Sequence, residues 1–299
     1  MRRTPMAIVW PLVLVAALVS GCGLSSAGPP DPALLARPHG RCDPALAATV
    51  PAPVRERGSI GVAMVPHTPP MAYHAEDNAT IVGLDRDMSQ AIADVFCLTA
   101  TPIPTSLDAI VPGLAAGRYD IVLASLSPTE ERRKNADFVT YYNGGQGFLV
   151  RTGTTYPVRD YLDLCGRSVG VIIGSVQQGQ LEQAAGVCAR AGRPDWRLSL
   201  FPDGSASVLA LRSSRIDVLY FSISLTKYVA NTAPALFHLA GQYKRSLVAV
   251  GLAKNSPLTV PVHEAVRKLM ADGTYRKILE KWSLRDNELD TAEILKGRS

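Results

Sequence analysis

Arg132 is the residue in this chain whose setting most clearly implies chemistry. It follows a short apolar run, Ile121-Val122-Leu123-Ala124, and three hydroxyl residues, Ser125, Ser127 and Thr129. An apolar strand that opens into a polar loop carrying one arginine is a device for holding a carboxylate. The planar guanidinium offers two parallel charge-assisted hydrogen bonds, and hydroxyls and backbone N–H groups complete the cage. The same residues, read as a Glu-Arg-Arg-Lys helix start, would form a solvated charged face. The elements around the segment decide between the two.

Those elements alternate between strand and helix patterns, which argues for parallel sheets in an α/β fold. Met88, Ala91, Ile92, Val95 and Phe96 recur at helical spacing, as do Leu107, Ile110, Val111 and Leu114. Both stripes read as core faces, with Asp85 and Ser106 as the N-caps of the two helices. The stretch 262–282 reads as one further helix, and the chain after Arg285 as a loose tail.

The N-terminus is a targeting segment and stands apart from the fold. Arg2 and Arg3 precede an apolar run from Met6 to Val19, too short for a spanning helix of about 20 residues. Leu18-Val19-Ser20-Gly21-Cys22 then has the form of a bacterial lipobox, with cleavage before Cys22 and a lipid on its sulfur. Residues 1–21 are thus a lipoprotein signal peptide, and residues 22–57 a lipidated cysteine and flexible tether. Four cysteines remain, an even number in an exported chain, and they allow three disulfide connectivities. Cys165 and Cys188 bracket a strand and its returning helix, as do Cys42 and Cys97, so Cys42–Cys97 and Cys165–Cys188 are the expected pairs. None has Cys-x-x-Cys spacing, and no metal site is expected. The composition, 47% hydrophobic and 19% charged with a formal charge of +5, is that of a globular protein. Its basic residues are dispersed, which excludes a nucleic-acid stripe.

Ten segments in order carry a resemblance to a known family. They are GSIGVAMV from Gly58, TPPMAY from Thr68, IVGLDRDMSQAIA from Ile81, LDAIVPGLAAGRYD from Leu107 and the Arg132 segment itself. YYNGGQGFLV from Tyr141, LCGRSVGVIIGS from Leu164, SSRIDVLY from Ser213, VAVGLAKNSPL from Val248 and DGTYRKILEKW from Asp272 complete the set. From about residue 58 to 284 the chain resembles the family 3 solute-binding proteins that serve amino-acid ABC transporters.

The resemblance implies a two-lobed periplasmic-binding-protein-like (type II) fold with a hinge of two crossing strands. Lobe 1 would comprise 58–150 plus 250–285, lobe 2 151–249, and the tail 286–299. The crossings are expected near Leu149–Thr152 and Val248–Leu252. The implied partners are a small carboxylate ligand, an ABC permease with its ATPase, and the membrane through the lipid on Cys22. The protein would be a monomer without a cofactor, anchored on the extracytoplasmic face.

The family's ligand positions fall on Arg132, Ser127, Ser125 and Ser175, the last at a helix N-terminus that favours anions. Thr68, Met71 and Leu107 stand where relatives sandwich the ligand side chain, with Tyr73 beside them. Ile172, Val176 and Phe221 are the neighbours from lobe 2. Two positions depart from the pattern. Ser222 replaces the Asp that pairs with a ligand ammonium, leaving Asp203 and Asp108 as substitutes, and Val65 replaces an Asp of receptors for basic amino acids. A closed site leaves an unpaired ammonium at a cost of several kcal/mol. The expected ligand therefore has an uncharged side chain, or is a carboxylate other than an ordinary α-amino acid.

Two other functions fit the same fold. One is a ligand-sensing lipoprotein that signals to a membrane partner. The other is a dehydratase-like enzyme, with His67 as the best placed acid or base. His39, His74, His238 and His263 have no partner at metal or triad spacing, and no catalytic motif is present. A non-enzymatic binding protein is the expected function.

Overall fold

The computed structural model describes residues 42–297. The strands are β1 (Ser59–Met64), β2 (His67–Thr68), β3 (Ala72–His74), β4 (Ile81–Val82), β5 (Thr99–Pro104), β6 (Ile121–Val122), β7 (Ala136–Arg151), β8 (Ser168–Ile172), β9 (Arg197–Phe201), β10 (Val218–Ser222), β11 (Phe237–Ala253) and β12 (Ile294–Leu295). One sheet runs in the order β5-β1-β6-β11-β7-β10-β8-β9, with β12 pairing to β7, and β2-β3-β4 form a small antiparallel sheet. β1 is parallel to β5 and β6, and β8 is parallel to β9 and β10. This is the two-lobed α/β arrangement expected from the sequence: each parallel group makes the sheet of one lobe.

The two groups are joined by β7 and β11, which pair antiparallel with each other along nearly their whole length. At one end β11 pairs with β6 through Gly251 and Leu252. At the other, β7 pairs with β10 from Gln146 to Val150. The change of lobe therefore falls around Gly144-Gly145, opposite Arg245 and Ser246, ahead of the expected Leu149–Thr152. Apolar residues flank the crossing on both sides because each lobe buries its own share of both strands, so hydrophobicity does not mark the point of exchange. β11 carries its register shifts here, between Tyr243 and Arg245 among others, and such bulges add local twist.

In lobe 1 the helix Leu84–Val95 buries Met88, Ile92 and Val95 completely, as its 3.6-residue spacing predicts. Two helices, Thr259–Ala271 and Thr274–Lys281, pack against it, separated at Asp272-Gly273 where one helix was expected. Ile110–Ala115 covers part of the other face, and residues 107–109 form a turn, so Ser106 is no N-cap: its hydroxyl bonds Asp108. In lobe 2 the helices Gly204–Arg212 and Ile223–Thr232 lie on one face of the sheet, and Val176–Gln183 lies on the other.

Three boundary expectations change. The segment expected as a flexible tether is ordered from Cys42: the helices Pro44–Thr49 and Ala52–Arg57 bury Val50 and Val54 in the core of lobe 1. The expected loose tail also docks. β12 pairs with Val139 and Phe138, and Lys296 reaches the fully buried Asp137. Asp85 does not cap its helix. Gly83 occupies that position, and the Asp85 carboxyl is buried inside the lobe.

Both expected disulfides are present, Cys42–Cys97 and Cys165–Cys188, with Cα separations of 4.8 and 5.6 Å. They span 55 and 23 residues of chain, for which loop entropy gives about 4 and about 3 kcal/mol of stabilisation. Cys42–Cys97 also holds the first helix onto lobe 1. Guanidinium unfolding under oxidising conditions should show Cys165→Ser/Cys188→Ser losing about 3 kcal/mol and Cys42→Ser/Cys97→Ser losing more.

Candidate ligand-binding site

β6 ends at Val122, and the chain turns into the cleft at Ser125, which adopts a left-handed conformation with φ 50°. Thr129 then caps the short helix Glu130–Asn135, its hydroxyl accepting from the Arg132 N–H at 3.2 Å. The cap fixes the first turn and with it the direction of the Arg132 side chain. The Arg132 guanidinium donates from Nη1 to the Ser127 carbonyl at 2.9 Å and from Nη2 to the Gly174 carbonyl at 2.8 Å. Ser127 belongs to lobe 1 and Gly174 to lobe 2, so a single side chain bonds both walls of the cleft.

Burial lowers the Arg132 pKa to about 10, which leaves it cationic at neutral pH. Among the described residues no acid pairs with it. Of its five N–H groups two are used by these carbonyls, and three remain for an incoming acceptor.

Gly174 is held at φ 74°, and an added Cβ would sit 2.8 Å from the Asp108 Cα across the cleft. Glycine is required twice over here, for the left-handed backbone and for the close approach that brings its carbonyl to Arg132. Ser175 follows as the N-cap of Val176–Gln183, and Ser222 caps Ile223–Thr232. Each helix thus turns its N-terminal end toward the cleft, with a serine at the rim.

The cavity enclosed by these elements has a free volume of about 40 Å³, room for roughly three ordered waters at about 10–15 Å³ each. Arg132, Ser125, Ser127, Thr68 and Leu107 line it from lobe 1. Ser175, Val176, Ile172 and Ser222 line it from lobe 2, with Phe221 beside them, and Val65 closes the lobe 1 side. Two expected positions lie elsewhere. Met71 is buried at the turn between β2 and β3, within the lobe 1 core and with its carbonyl bonded by the Asp85 N–H. Tyr73 packs its ring against Tyr228 and Trp282, with centroids 6.3 and 6.1 Å away, outside the cavity.

The cavity also contains residues that sequence reasoning missed: Gln177, Ser224, Ser246 and the hinge pair Gly144-Gly145. Ser224 lies two residues beyond Ser222, and its Oγ is 3.0 Å from the Tyr142 hydroxyl. Ser246 faces Gly144 across the hinge ladder, a placement set by the bulges in β11 and invisible in local pattern.

Among the described residues, no carboxylate lines the cavity. Asp203 caps the helix Gly204–Arg212, accepting from the Ala206 N–H at 2.8 Å. Asp108 accepts from the Ser106 hydroxyl at 2.5 Å and does not line the cavity. Asp85 is fully buried behind the ligand loop and does not reach the cavity surface. His67 is exposed, with its ring tilted against that of His74 at 5.3 Å between centroids, also away from the cavity. The site is a small chamber with one cation, a ring of hydroxyls and apolar walls. Such a chamber can hold a carboxylate.

The model of the bacterial extracellular solute-binding proteins, family 3, matches residues 60–285. The chain belongs to this family. Among curated relatives, the arginine-binding protein ArgT of Corynebacterium glutamicum is 25% identical over 253 residues, covering 84% of this chain and 83% of that protein. The L-cystine-binding protein TcyJ of Escherichia coli (strain K12) is 28% identical over 233 residues, covering 77% and 84%. Among solved structures, an ancestral arginine-binding protein bound to glutamine is 30% identical with a TM-score of 0.69, covering 76% of this chain and 99% of that one. These relatives are named as binding proteins, and the family members are extracytoplasmic.

The role given to Gly174 is open to a test that needs no ligand. Gly174→Ala adds a methyl that meets Asp108 and puts a Cβ on a left-handed backbone, at a cost of about 1–2 kcal/mol, while each lobe keeps its own core. Small-angle scattering should report a more open molecule with a larger radius of gyration. An unchanged radius would reject the close approach as the point of closure.

Proposed function

We propose that this protein is the lipid-anchored, extracytoplasmic substrate-binding component of an ABC importer, and that it captures a small, non-basic solute bearing a carboxylate. The observation that carries the reading is the charge inventory of the cavity among the described residues: one guanidinium that touches both walls and retains free N–H groups, and no acid. A carboxylate entering the closed cleft would complete the cation's shell and add a bridge between the lobes, which links capture to closure. The family and the binding proteins it includes supply the transport role.

The ligands of the relatives set a contrast. ArgT is named for arginine, whose side chain brings a second cation. In this cavity Val65, Leu107 and Val248 offer that cation no counter-charge, and a buried unpaired charge costs several kcal/mol. The same argument disfavours a free ammonium, since Ser222 supplies a hydroxyl and no charge. The best match is an acid with a neutral side chain and a hydroxyl, carbonyl or other neutral group where an amino acid carries its amine.

A thermal-shift screen with amino acids, their neutral derivatives and small hydroxy and oxo acids tests this directly. A ligand at 100 times its dissociation constant adds about 2.7 kcal/mol to stability, so binders will register clearly. Neutral acids should bind and L-arginine and L-lysine should not; tight selectivity for either basic amino acid overturns the ligand class. Arg132→Ala should weaken binding of the best acid by at least about 100-fold, the scale of a bidentate charged pair. A loss smaller than tenfold removes Arg132 from its assigned role.

Cys22, the proposed lipid site, lies outside the described residues. Among the described residues no helix is long and apolar enough to cross a membrane, and the attachment proposed is the lipid on Cys22. Membrane fractionation should find the native chain in the membrane pellet and Cys22→Ala in the soluble fraction. Equal partition of the two forms would rule out the lipid anchor at Cys22.

A further inference from the structure

We propose that Asp85 is the positioning residue of the cleft: its carboxylate holds the ligand loop through the Ser125 amide, and its proton is linked to the capture of an anion there. The hold on the loop stands on its own. The linkage rests on the reading of the cavity as a carboxylate site.

The placement of Asp85 begins just upstream. Gly83 opens the helix at φ 132°, so close to Met71 that an added Cβ would lie 2.2 Å from its carbonyl oxygen. Only glycine fits, and the resulting entry angle directs Asp85 into the lobe. The Asp85 N–H donates to the Met71 carbonyl at 2.8 Å. Its carboxyl is fully buried, with Oδ1 accepting from the Tyr141 hydroxyl and Oδ2 from the Ser125 N–H at 3.2 Å. One side chain therefore ties the helix Leu84–Val95, the ligand loop and β7, which runs on into the hinge.

Ser125 is the loop residue with the unusual backbone. A left-handed conformation is rare outside glycine and persists where its surroundings demand it. Here the demand is the Asp85 oxygen that receives the Ser125 amide. The same turn leaves the Ser125 Oγ buried without a hydrogen-bond partner at the cavity wall. A buried hydroxyl left open in this way is a contact reserved for something that enters the cavity.

Among the described residues, no cation bonds Asp85. From β7 it faces Tyr141 and its neighbour Tyr142, and the helix Thr274–Lys281 adds Tyr275 to this group. Burial raises all three phenols, so they stay neutral. Arg132, on the loop side, bonds Ser127 and Gly174 instead. On its own helix, Arg86 reaches Gln90 and Asp87 reaches Lys281 and Trp282. Burial raises the Asp85 pKa to about 7, opposed in part by the bonds from Tyr141 and Ser125.

The sign of the pH dependence follows. An unfolded chain releases this proton near pH 3.8 and the folded protein near 7, so the group favours the folded state at low pH, and that contribution falls as pH rises between the two. An anion held one residue away disfavours the charged carboxylate further. Capture therefore takes up a proton in the neutral range, and affinity falls roughly threefold to tenfold between pH 6 and 8.

The experiment has a ligand-free arm and a ligand arm. In the first, NMR follows the Asp85 carboxyl carbon and the Ser125 amide of the full domain from pH 5.5 to 8.5. Both should titrate with one midpoint near 7, and the amide should become flat in Asp85→Asn. A Ser125 amide that is flat in the native protein, or that still titrates in the variant, overturns the hold on the loop. Should Asp85→Asn fail to fold, Tyr141→Phe removes one donor and should raise the carboxyl midpoint; an unmoved midpoint overturns the arrangement.

In the second arm, calorimetry at pH 7 compares L-alanine, L-glutamine and L-lactate in phosphate and in Tris, whose ionisation heats differ. Probes that bind should take up a fraction of a proton in the native protein and none in Asp85→Asn. Binding without proton uptake overturns the linkage and leaves the carboxylate reading intact. If none of these carboxylates, nor any acid of the thermal-shift panel, binds, the linkage falls with that reading, while the amide titration still decides the hold on the loop.

Discussion

A guanidinium shut into a cavity that no carboxylate of the described residues lines has to be satisfied by dipoles, and both lobes are arranged around that requirement. Arg132 meets it with the Ser127 carbonyl from its own loop and the Gly174 carbonyl from the opposite wall. The second bond is possible only because residue 174 has no side chain to hold it away from Asp108. The first depends on a loop that turns at Ser125 and a helix that starts at Thr129. The closed form is thus built on one side chain whose charge is solvated but not neutralised. That residual charge is what the cavity offers a ligand.

The two long strands make this arrangement reversible in principle. β7 and β11 each contribute to both lobe sheets and are bonded to one another throughout, so neither lobe can rotate without bending this ribbon. The bend has a natural place at Gly144-Gly145, where β11 is bulged and where the ribbon also forms part of the cavity lining. Ligand contact and hinge geometry therefore involve the same residues. A ligand held in this cavity would touch the hinge itself, so occupancy and closure would share atoms with no need for a signal carried over distance.

Behind the ligand loop, a second requirement operates in the opposite sense. Among the described residues, Asp85 is a buried acid with no cation bonded to it, as Arg132 is an enclosed cation with no acid. The two do not pair; each is satisfied by neutral donors or acceptors, and Ser125 and Ser127 lie between them in the same loop. When Asp85 is ionised, opposite charges separated in this way leave a field across the loop, with its positive end in the cavity. An anionic ligand lies at the favourable end of that field.

Much of this is legible in the order of residues. The apolar period of residues 88–95 sets the lobe 1 helix, the cysteine positions match the two disulfides, and Arg132 stands out through its hydroxyl neighbours alone. These features are local: they depend on spacing within one element, which the chain determines directly. Met71 and Tyr73 escape such reasoning because they lie in a turn and a short strand, where a shift of one residue reverses the face that a side chain presents. The tail from residue 286 and the segment 43–57 look loose in sequence because their partners, β7 and the Cys97 region, are remote along the chain. Asp85 reads as a helix cap because aspartate at a helix start usually is one; its burial follows from the contact of Gly83 with Met71. The sequence by itself determined the alternating strands and helices, the two cysteine pairs, and an arginine set among hydroxyl residues. Only the tertiary structure decided that those residues share one cavity without a counter-charge, because the balance of charge in a closed space depends on every element that closes it.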